Sequence, residues 1–297
     1  MSPRDILLAL LVVTVWGVNF TVIKLSVAEL PPVLVAALRF FFAAVPAVFF
    51  VRRPDAPWRL VIAYGLFMGV ALYALLNLSI YLGMPASLAS LVLQVQAMFT
   101  ILLGFVVLRE RPRPQQLLGV AVAFGGIALI GSVGLEGMGF LPFALIIAAA
   151  MAWGVANIVS KKAGNIDMLS FTVWGNLVAP LPLLLLSVAL DGPGVVAHAL
   201  THPTWQVAAM VAFLAYPNTL FGFAVWSNLL KRYPTASVAP FTLLVPVAGI
   251  ASGVVFLGET VGPVEIAGGA LILVGLGLAV IRRRAPAADA AIRAPGG

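Results

Sequence analysis

Long apolar runs separated by short polar segments account for most of this chain. A helix needs about 20 mostly apolar residues to cross a bilayer, whereas membrane β-strands would show short alternating segments. The pattern therefore predicts an all-α polytopic membrane protein with ten transmembrane helices. The ten runs lie at about residues 5–28, 33–51, 59–82, 85–108, 115–133, 139–160, 168–190, 205–230, 234–257 and 263–281.

Part of the first run returns near mid-chain, where WGVNFTVIK (from Trp16) is echoed by WGVANIVSK (from Trp153). A second correspondence, with a shift of 149 residues, pairs Pro85 with Pro234, Gly104 with Gly253, Glu110 with Glu259, Gly119 with Gly268, and Gly126 with Gly275. Two five-helix repeats are therefore predicted at 1–136 and 137–284, followed by a disordered cytoplasmic tail at 285–297.

The two repeats are predicted to have opposite orientations. Each contains five spans, and an odd number makes the second repeat enter the membrane from the other side, which gives an inverted repeat. The second repeat is longer by 12 residues, and the loop Asp191–Pro203 is the expected place for them.

Charged residues are few, and most of the basic ones are predicted to lie on one side of the membrane. Only 9% of the residues are charged, against about a quarter in soluble domains. With ten spans, 15 of the 17 basic residues fall on the side that holds both termini. By the positive-inside rule that side is cytoplasmic, which predicts a multi-pass protein of the cell inner membrane. The net charge of +7 then reflects topology, so the expected partners are membrane lipid and a small molecule, with no nucleic acid. The oligomeric state is left open, and a monomer is compatible with the pattern.

Four segments of the chain are similar to those of a known family: WGVNFTVIK, Leu38–Phe40, PASLASLVLQVQAMFTILLGFVVLRERPRPQQLLGVAVAFGGIAL and PTASVAPFTLLVPVAGIASGVVFLGETVGPVEIAGGALILVGL. They resemble the EamA-type ten-helix carriers of the drug/metabolite transporter superfamily. The resemblance implies export of amino acids, other metabolites or drugs through a central cavity. The family commonly has proline midway along the fourth and ninth spans; Pro246 keeps it, but Ala97 replaces it, so span 4 is expected to be less kinked.

Signatures of enzymes and metal sites are missing from the sequence. HExxH, GxSxG and GxxxxGK[ST] do not occur, and there is no cysteine. His198 and His202 form a pair in the predicted loop without an evident third ligand, so no catalytic residue, metal or cofactor is expected. All acidic residues lie in loops or near span ends, which favours facilitated transport over proton coupling through a buried carboxylate.

Polar and aromatic side chains recur at helical spacing within several spans. Amides in a membrane span either bond neighbouring helices or line a wet cavity, and their clustering with Tyr and Trp favours the cavity. The predicted substrate-binding residues are Trp16, Asn19, Arg39, Tyr73, Asn77, Tyr81, Gln94, Gln96, Trp153, Asn157, Tyr216 and Asn218.

Arg39 is the one charge well inside a span. It lies six residues after Val33, or about 9 Å along a helix. Two roles are open for it. The side chain could extend outward to the membrane surface or tether helices, which is the favoured role. Alternatively, it could contact a carboxylate of the substrate.

These features together predict a secondary transporter that exports small organic metabolites by alternating access. A polar and aromatic lining suits amino acids, aromatic or other apolar ones above all. One alternative is a drug or other metabolite carrier of the same fold. The other is an integral membrane enzyme, which would need a cluster of intramembrane His, Asp or Glu.

Overall fold

The computed structural model describes residues 1–164 and 166–280, and in this part of the chain all regular structure is helical. Eight of the described helices are long and apolar enough to cross a membrane, and the helices that begin at Pro32 and Pro263 are shorter but similarly apolar. The all-α architecture is thus confirmed. Residues 281–284 and the predicted tail at 285–297 lie outside the described residues.

The ten long or apolar helices follow the ten predicted runs, with ends that differ by only a few residues. Numbered in chain order, they are α1 (Pro3–Glu29), α2 (Pro32–Val48), α3 (Trp58–Tyr81), α4 (Ala86–Leu108), α5 (Pro114–Met138), α6 (Phe140–Lys162), α7 (Met168–Asp191), α8 (Trp205–Arg232), α9 (Ala239–Leu257) and α10 (Pro263–Val280).

Several helices depart from α geometry near their middle. The segments Gly65–Ala71 in α3 and Leu214–Phe221 in α8 are π-helical. The second contains Pro217, which cannot donate a backbone hydrogen bond, and the Thr219 hydroxyl donates to the Leu214 carbonyl there. Proline commonly interrupts the regular hydrogen bonding of a helix, and the wider π-helical turn is the form that the departure takes here.

Helix α4 departs from α geometry without a proline. Leu93–Val95 forms a 3-10 turn just before Ala97, and α9 begins with the 3-10 segment Ala239–Leu243. Helix α4 is therefore not a regular α-helix even though Ala97 replaces the proline.

The predicted loop Asp191–Pro203 contains a short helix, Pro193–Thr201. Val196 on this helix is buried in an apolar cluster with Leu34 of α2, which fixes the helix to the bundle. The rings of His198 and His202 stack with their centroids 4.6 Å apart. The extra residues of the second half thus include an ordered helix packed on α2, where the sequence predicted a loop.

Helix α7 begins at a carboxylate that also ties it to α8. Asp167 accepts hydrogen bonds from the backbone N–H and the hydroxyl of Ser170, at 3.3 and 2.8 Å, and Lys231 donates to it at 3.0 Å. The Ser170 hydrogen bonds, followed by the contact with Lys231, hold the pKa of the Asp167 carboxyl below its usual value. This carboxylate therefore stabilises the folded state in its charged form.

Replacing Asp167 by alanine is expected to lower the free energy of unfolding by about 1 kcal/mol at neutral pH, the typical value of a helix cap. Because the folded pKa is depressed, the stabilisation is present above the unfolded pKa and is lost as the pH falls through the folded one. Thermal unfolding in detergent between pH 7 and pH 3 measures this. Asp167→Asn keeps a capping oxygen without the charge and should lose less; equal loss in Ala and Asn variants at all pH values would contradict the capping role.

Candidate functional site

A cavity of about 270 Å³ lies between the helices near their middle. It is bordered by α1, α2, α3, α4, α6, α8, α9 and α10, so side chains from both halves of the chain reach it. Its size suits a small organic solute with most of its surface buried. Eight of the predicted substrate-binding residues line it: Trp16, Asn19, Arg39, Tyr73, Gln94, Gln96, Trp153 and Asn218.

Two predicted residues lie on the outer surface instead. Tyr81 is 56% exposed and Tyr216 is 43% exposed. Tyr81 was expected to continue the stripe begun by Tyr73 and Asn77. Residues four apart on an α-helix are rotated by about 40° from each other, so a stripe of three drifts away from a cavity that its first member lines.

Two predicted amides bond neighbouring helices rather than lining the cavity. Asn77 donates to the Pro32 carbonyl at 2.9 Å. Asn157 donates to the side chains of Gln96, at 2.8 Å, and Thr100, at 3.0 Å. For these two residues, interhelical bonding is the role that the structure displays, and for Asn157 the contact also orients Gln96 at the cavity wall.

Arg39 is buried at the cavity wall, with only 2% of its surface exposed. Its guanidinium donates to Thr219 (3.1 Å), Asn19 (3.0 Å) and the Tyr73 hydroxyl (3.0 Å). Its Cζ lies 4.1 Å from the centre of the Tyr73 ring. The favoured role had two forms, and the structure displays the second: the side chain does not extend outward but connects α2 to oxygens on three other helices.

The positive charge of Arg39 lacks an acidic partner among the described residues. The oxygens that accept its hydrogen bonds belong to an amide and two hydroxyls, and they use three of the five N–H donors of a guanidinium. Burying an unpaired charge costs several kcal/mol, and ionisable groups inside membrane spans generally mark functional sites. The arrangement leaves donors and an uncompensated charge for an anionic group in the cavity.

A second unsatisfied group lies at the same cavity. The side-chain oxygen of Asn218 is buried and has no hydrogen-bond partner within the described part of the chain. The backbone oxygen of Asn218 accepts from the Trp16 indole at 3.1 Å, which fixes this turn of α8 against α1. Buried amide oxygens are nearly always paired, so this acceptor is available to a donor from a bound molecule.

Aromatic rings form much of the remaining wall. Trp16 packs against Phe223 and Trp226, with centroids 5.8 and 5.2 Å away, and Trp153 lies at the wall contributed by α6. Such walls favour apolar and aromatic groups through area burial and ring packing. The cavity thus combines one cation and a few amides with an apolar surround.

Sequence reasoning missed most of the apolar wall. Phe20, Met68 and Phe223 line the cavity. In a chain where nearly every span residue is apolar, nothing in the sequence separates a cavity-lining side chain from one that faces lipid or core. Thr219 follows the predicted residue Asn218 directly in the sequence, but its contact with Arg39 depends on how α2 packs against α8.

Comparisons with known proteins agree with this architecture. The chain is 43% identical over 282 residues to a protein of Salmonella typhimurium named "Probable amino-acid metabolite efflux pump", covering 93% of this chain and 94% of the relative. It is 30% identical to the "Probable terminal-alkyne amino-acid exporter" of Streptantibioticus cattleyicolor, covering 92% of each. A solved crystal structure with 20% identity matches with a TM-score of 0.58 over 94% of this chain and 98% of that chain, and supports the fold alone.

The family assignment rests on a match along almost the whole chain. The model of the EamA-like transporter family matches residues 4–132 and again residues 141–281. This confirms the resemblance found in the sequence, and it agrees with a transporter rather than an enzyme. The protein is a member of the EamA-like transporter family.

Proposed function

We propose that this protein exports amino acids and closely related carboxylate-bearing metabolites, and that Arg39 binds the substrate carboxylate. The observation that carries the proposal is the buried Arg39 guanidinium at the cavity wall, which has no acidic partner among the described residues. A charge-assisted, two-pronged contact with a carboxylate would supply the missing counter-charge. The ammonium group of an amino acid would supply the donor that the Asn218 side-chain oxygen lacks.

The names of the relatives support the same substrate class. The two matching proteins described above are named for amino-acid metabolites and for a terminal-alkyne amino acid. The aromatic wall around Trp16 suits amino acids with apolar side chains. Polar groups of the cavity would then orient the charged end of the substrate, while the rings accommodate the side chain.

We further propose ten transmembrane spans in two inverted repeats, with both termini in the cytoplasm. The packing of α5 on α10 supports the inversion. Gly119 approaches Gly275, and Gly126 approaches Gly268. The 149-residue shift relates the residues of one pair to those of the other, as a two-fold axis would. The residue number increases along α5 from one pair to the next while it decreases along α10, so the two helices run antiparallel. Such a relation underlies alternating access in many transporters.

Counterflow in proteoliposomes tests the function directly. Vesicles loaded with phenylalanine or leucine should accumulate the labelled amino acid, and we expect the rate to be indifferent to a pH gradient. The matched competitors are phenylalaninamide and leucinamide, which keep the side chain and the amino group but lack the carboxylate. Losing one charge-assisted contact costs about 1.5–3 kcal/mol, so the amides should compete about 10- to 100-fold less well. Equal competition by acids and amides would contradict the role of Arg39, and the absence of counterflow for a full amino-acid panel would contradict the substrate class.

A further inference from the structure

Glu259 connects the end of α9 to the beginning of α4. Its two carboxylate oxygens accept hydrogen bonds from the backbone N–H groups of Ala86, at 2.7 Å, and Ser87, at 2.8 Å. These are the first residues of α4, whose N–H groups have no partner within the helix. A carboxylate there is also favoured by the helix dipole. The contact therefore joins two helices that border the cavity.

The local structure that presents Glu259 occurs twice. The backbone N–H of Glu259 donates to the Gly253 carbonyl at 3.2 Å, and that of Glu110 donates to Gly104 at 3.1 Å. In both places the preceding residue is left-handed, and the glycine leaves the space that the folded-back carboxylate occupies. Glu110 at the end of α4 is thus held in the same way as Glu259 at the end of α9.

The partners of the two carboxylates differ. Glu110 pairs with Lys161 at the end of α6, at 2.9 Å, and its side chain is half-exposed. The 149-residue shift relates Glu110 to Glu259, and it relates residues 235 and 236 to Ala86 and Ser87. The counterpart of the Glu259 contact would therefore join the Glu110 carboxylate to the backbone N–H groups of residues 235 and 236. Within the described contacts, the two equivalent carboxylates therefore have different partners: the backbone N–H groups of α4 for Glu259, and the Lys161 ammonium for Glu110.

The helix packing around the two carboxylates also differs. Near Glu259, the beginning of α4 lies against α9, with Ser87 beside Gly253 and Ser90 beside Gly249. At the Lys161 end, the corresponding segment Ala239–Leu243 makes at most marginal contact with the second half of α4. Among the described residues, α4 and α9 are thus packed more closely near Glu259 than near Lys161.

We propose that Glu259 is a latch: its bond to the first N–H groups of α4 keeps one end of the transport path closed, and each transport cycle requires its release. By the same repeat, Glu110 is the corresponding latch of the opposite end, and in this structure its carboxylate pairs with Lys161 instead. The proposal rests on the alternating access proposed above. In this proposal Glu259, which lies outside the cavity, controls which end of the transport path is open.

The absence of cysteine in this chain makes a direct accessibility test possible. Ser90 is fully buried at the closed end, beside Gly249. A Ser90→Cys protein is expected to react slowly with a membrane-impermeant thiol reagent added outside intact cells. Adding Glu259→Gln should raise the labelling rate at least about tenfold, because a neutral amide is a weaker acceptor for helix N-terminal donors.

The matched control is Glu110→Gln, the same change at the equivalent position of the other repeat. It should leave the labelling of Ser90→Cys unchanged or slower. Unchanged labelling with Glu259→Gln, or an equal rise with both variants, would overturn the latch. If Glu259→Gln raises the labelling of Ser90→Cys only in inverted vesicles, the latch would be supported, but the proposed orientation of the chain in the membrane would be reversed.

A second variant leaves the carboxylate in place. Ala86→Pro removes one of the two N–H donors, and proline is well tolerated at the first position of a helix. It should also speed the labelling of Ser90→Cys, by less than Glu259→Gln does; no acceleration would count against the latch even if Glu259→Gln proved unable to fold. Neither labelling measurement needs a substrate. A wrong substrate assignment would therefore appear only in the counterflow experiment and would not affect the test of the latch.

Discussion

Replacing Arg39 by methionine is expected to reduce amino-acid counterflow by at least about 100-fold while the protein still folds. The change removes the only charge found among the cavity-lining residues that the structure describes. Loss of a charge-assisted carboxylate contact, together with loss of orientation in the cavity, accounts for a fall of that size. The initial rate of counterflow in proteoliposomes measures it.

Stability should respond very differently from transport in the same variant. Methionine abolishes the several kcal/mol cost of burying a charge, but it leaves the oxygens of Asn19, Tyr73 and Thr219 without their donor, at about 1–3 kcal/mol each. These terms oppose each other, so the melting temperature should move by only a few degrees. A large fall in melting temperature would instead make Arg39 a structural tether.

Two further variants separate the charge from its geometry. Arg39→Lys keeps a cation but cannot donate to three oxygens and a carboxylate at once, so a partial loss of transport is expected. Lys24→Met removes a cation that donates to the Ile80 carbonyl outside the cavity, and it should leave transport nearly unchanged. Equal losses with Arg39→Met and Lys24→Met would contradict a specific role for Arg39.

The helices were predictable from the sequence because length and apolarity alone determine them in this chain. Runs such as 263–281 have few breaks, and the structure places a helix at Pro263–Val280. Details that depend on neighbours were not predictable. The loop around Val196 proved helical because that side chain finds an apolar cluster on α2.

The site was predictable only where polarity stands out from an apolar background. Asn19 and Gln94 were found in this way. Asn157 has the same signal, yet it bonds another helix, because an amide satisfies its donors wherever a partner lies closest. The orientation of Arg39 also could not be read from one helix, since its three acceptors belong to Asn19, Tyr73 and Thr219 on three other helices.

Two adjacent glycines on α5 should differ sharply in their tolerance of alanine. A Cβ at Gly126 would lie 2.5 Å from the Gly268 carbonyl oxygen and 3.0 Å from side chains of α10, whereas a Cβ at Gly125 would meet nothing within 4 Å. Backbone atoms cannot move aside as a flexible side chain can. Gly126→Ala is therefore expected to force α5 and α10 apart and to cost about 1–3 kcal/mol, the range for overpacked interiors.

Gly125→Ala is the matched control for this prediction, since it makes the same change one residue away on the same helix. Alanine is the better helix former by about 1 kcal/mol, so this variant should be neutral or slightly more stable. Melting temperatures of the two purified variants in detergent measure the difference. Because Gly126 and Gly275 are equivalent under the repeat, and a Cβ at Gly275 would also press on α5, Gly275→Ala should resemble Gly126→Ala. Similar melting temperatures for Gly125→Ala and Gly126→Ala would mean that the close approach of α5 and α10 does not contribute to the stability of the protein.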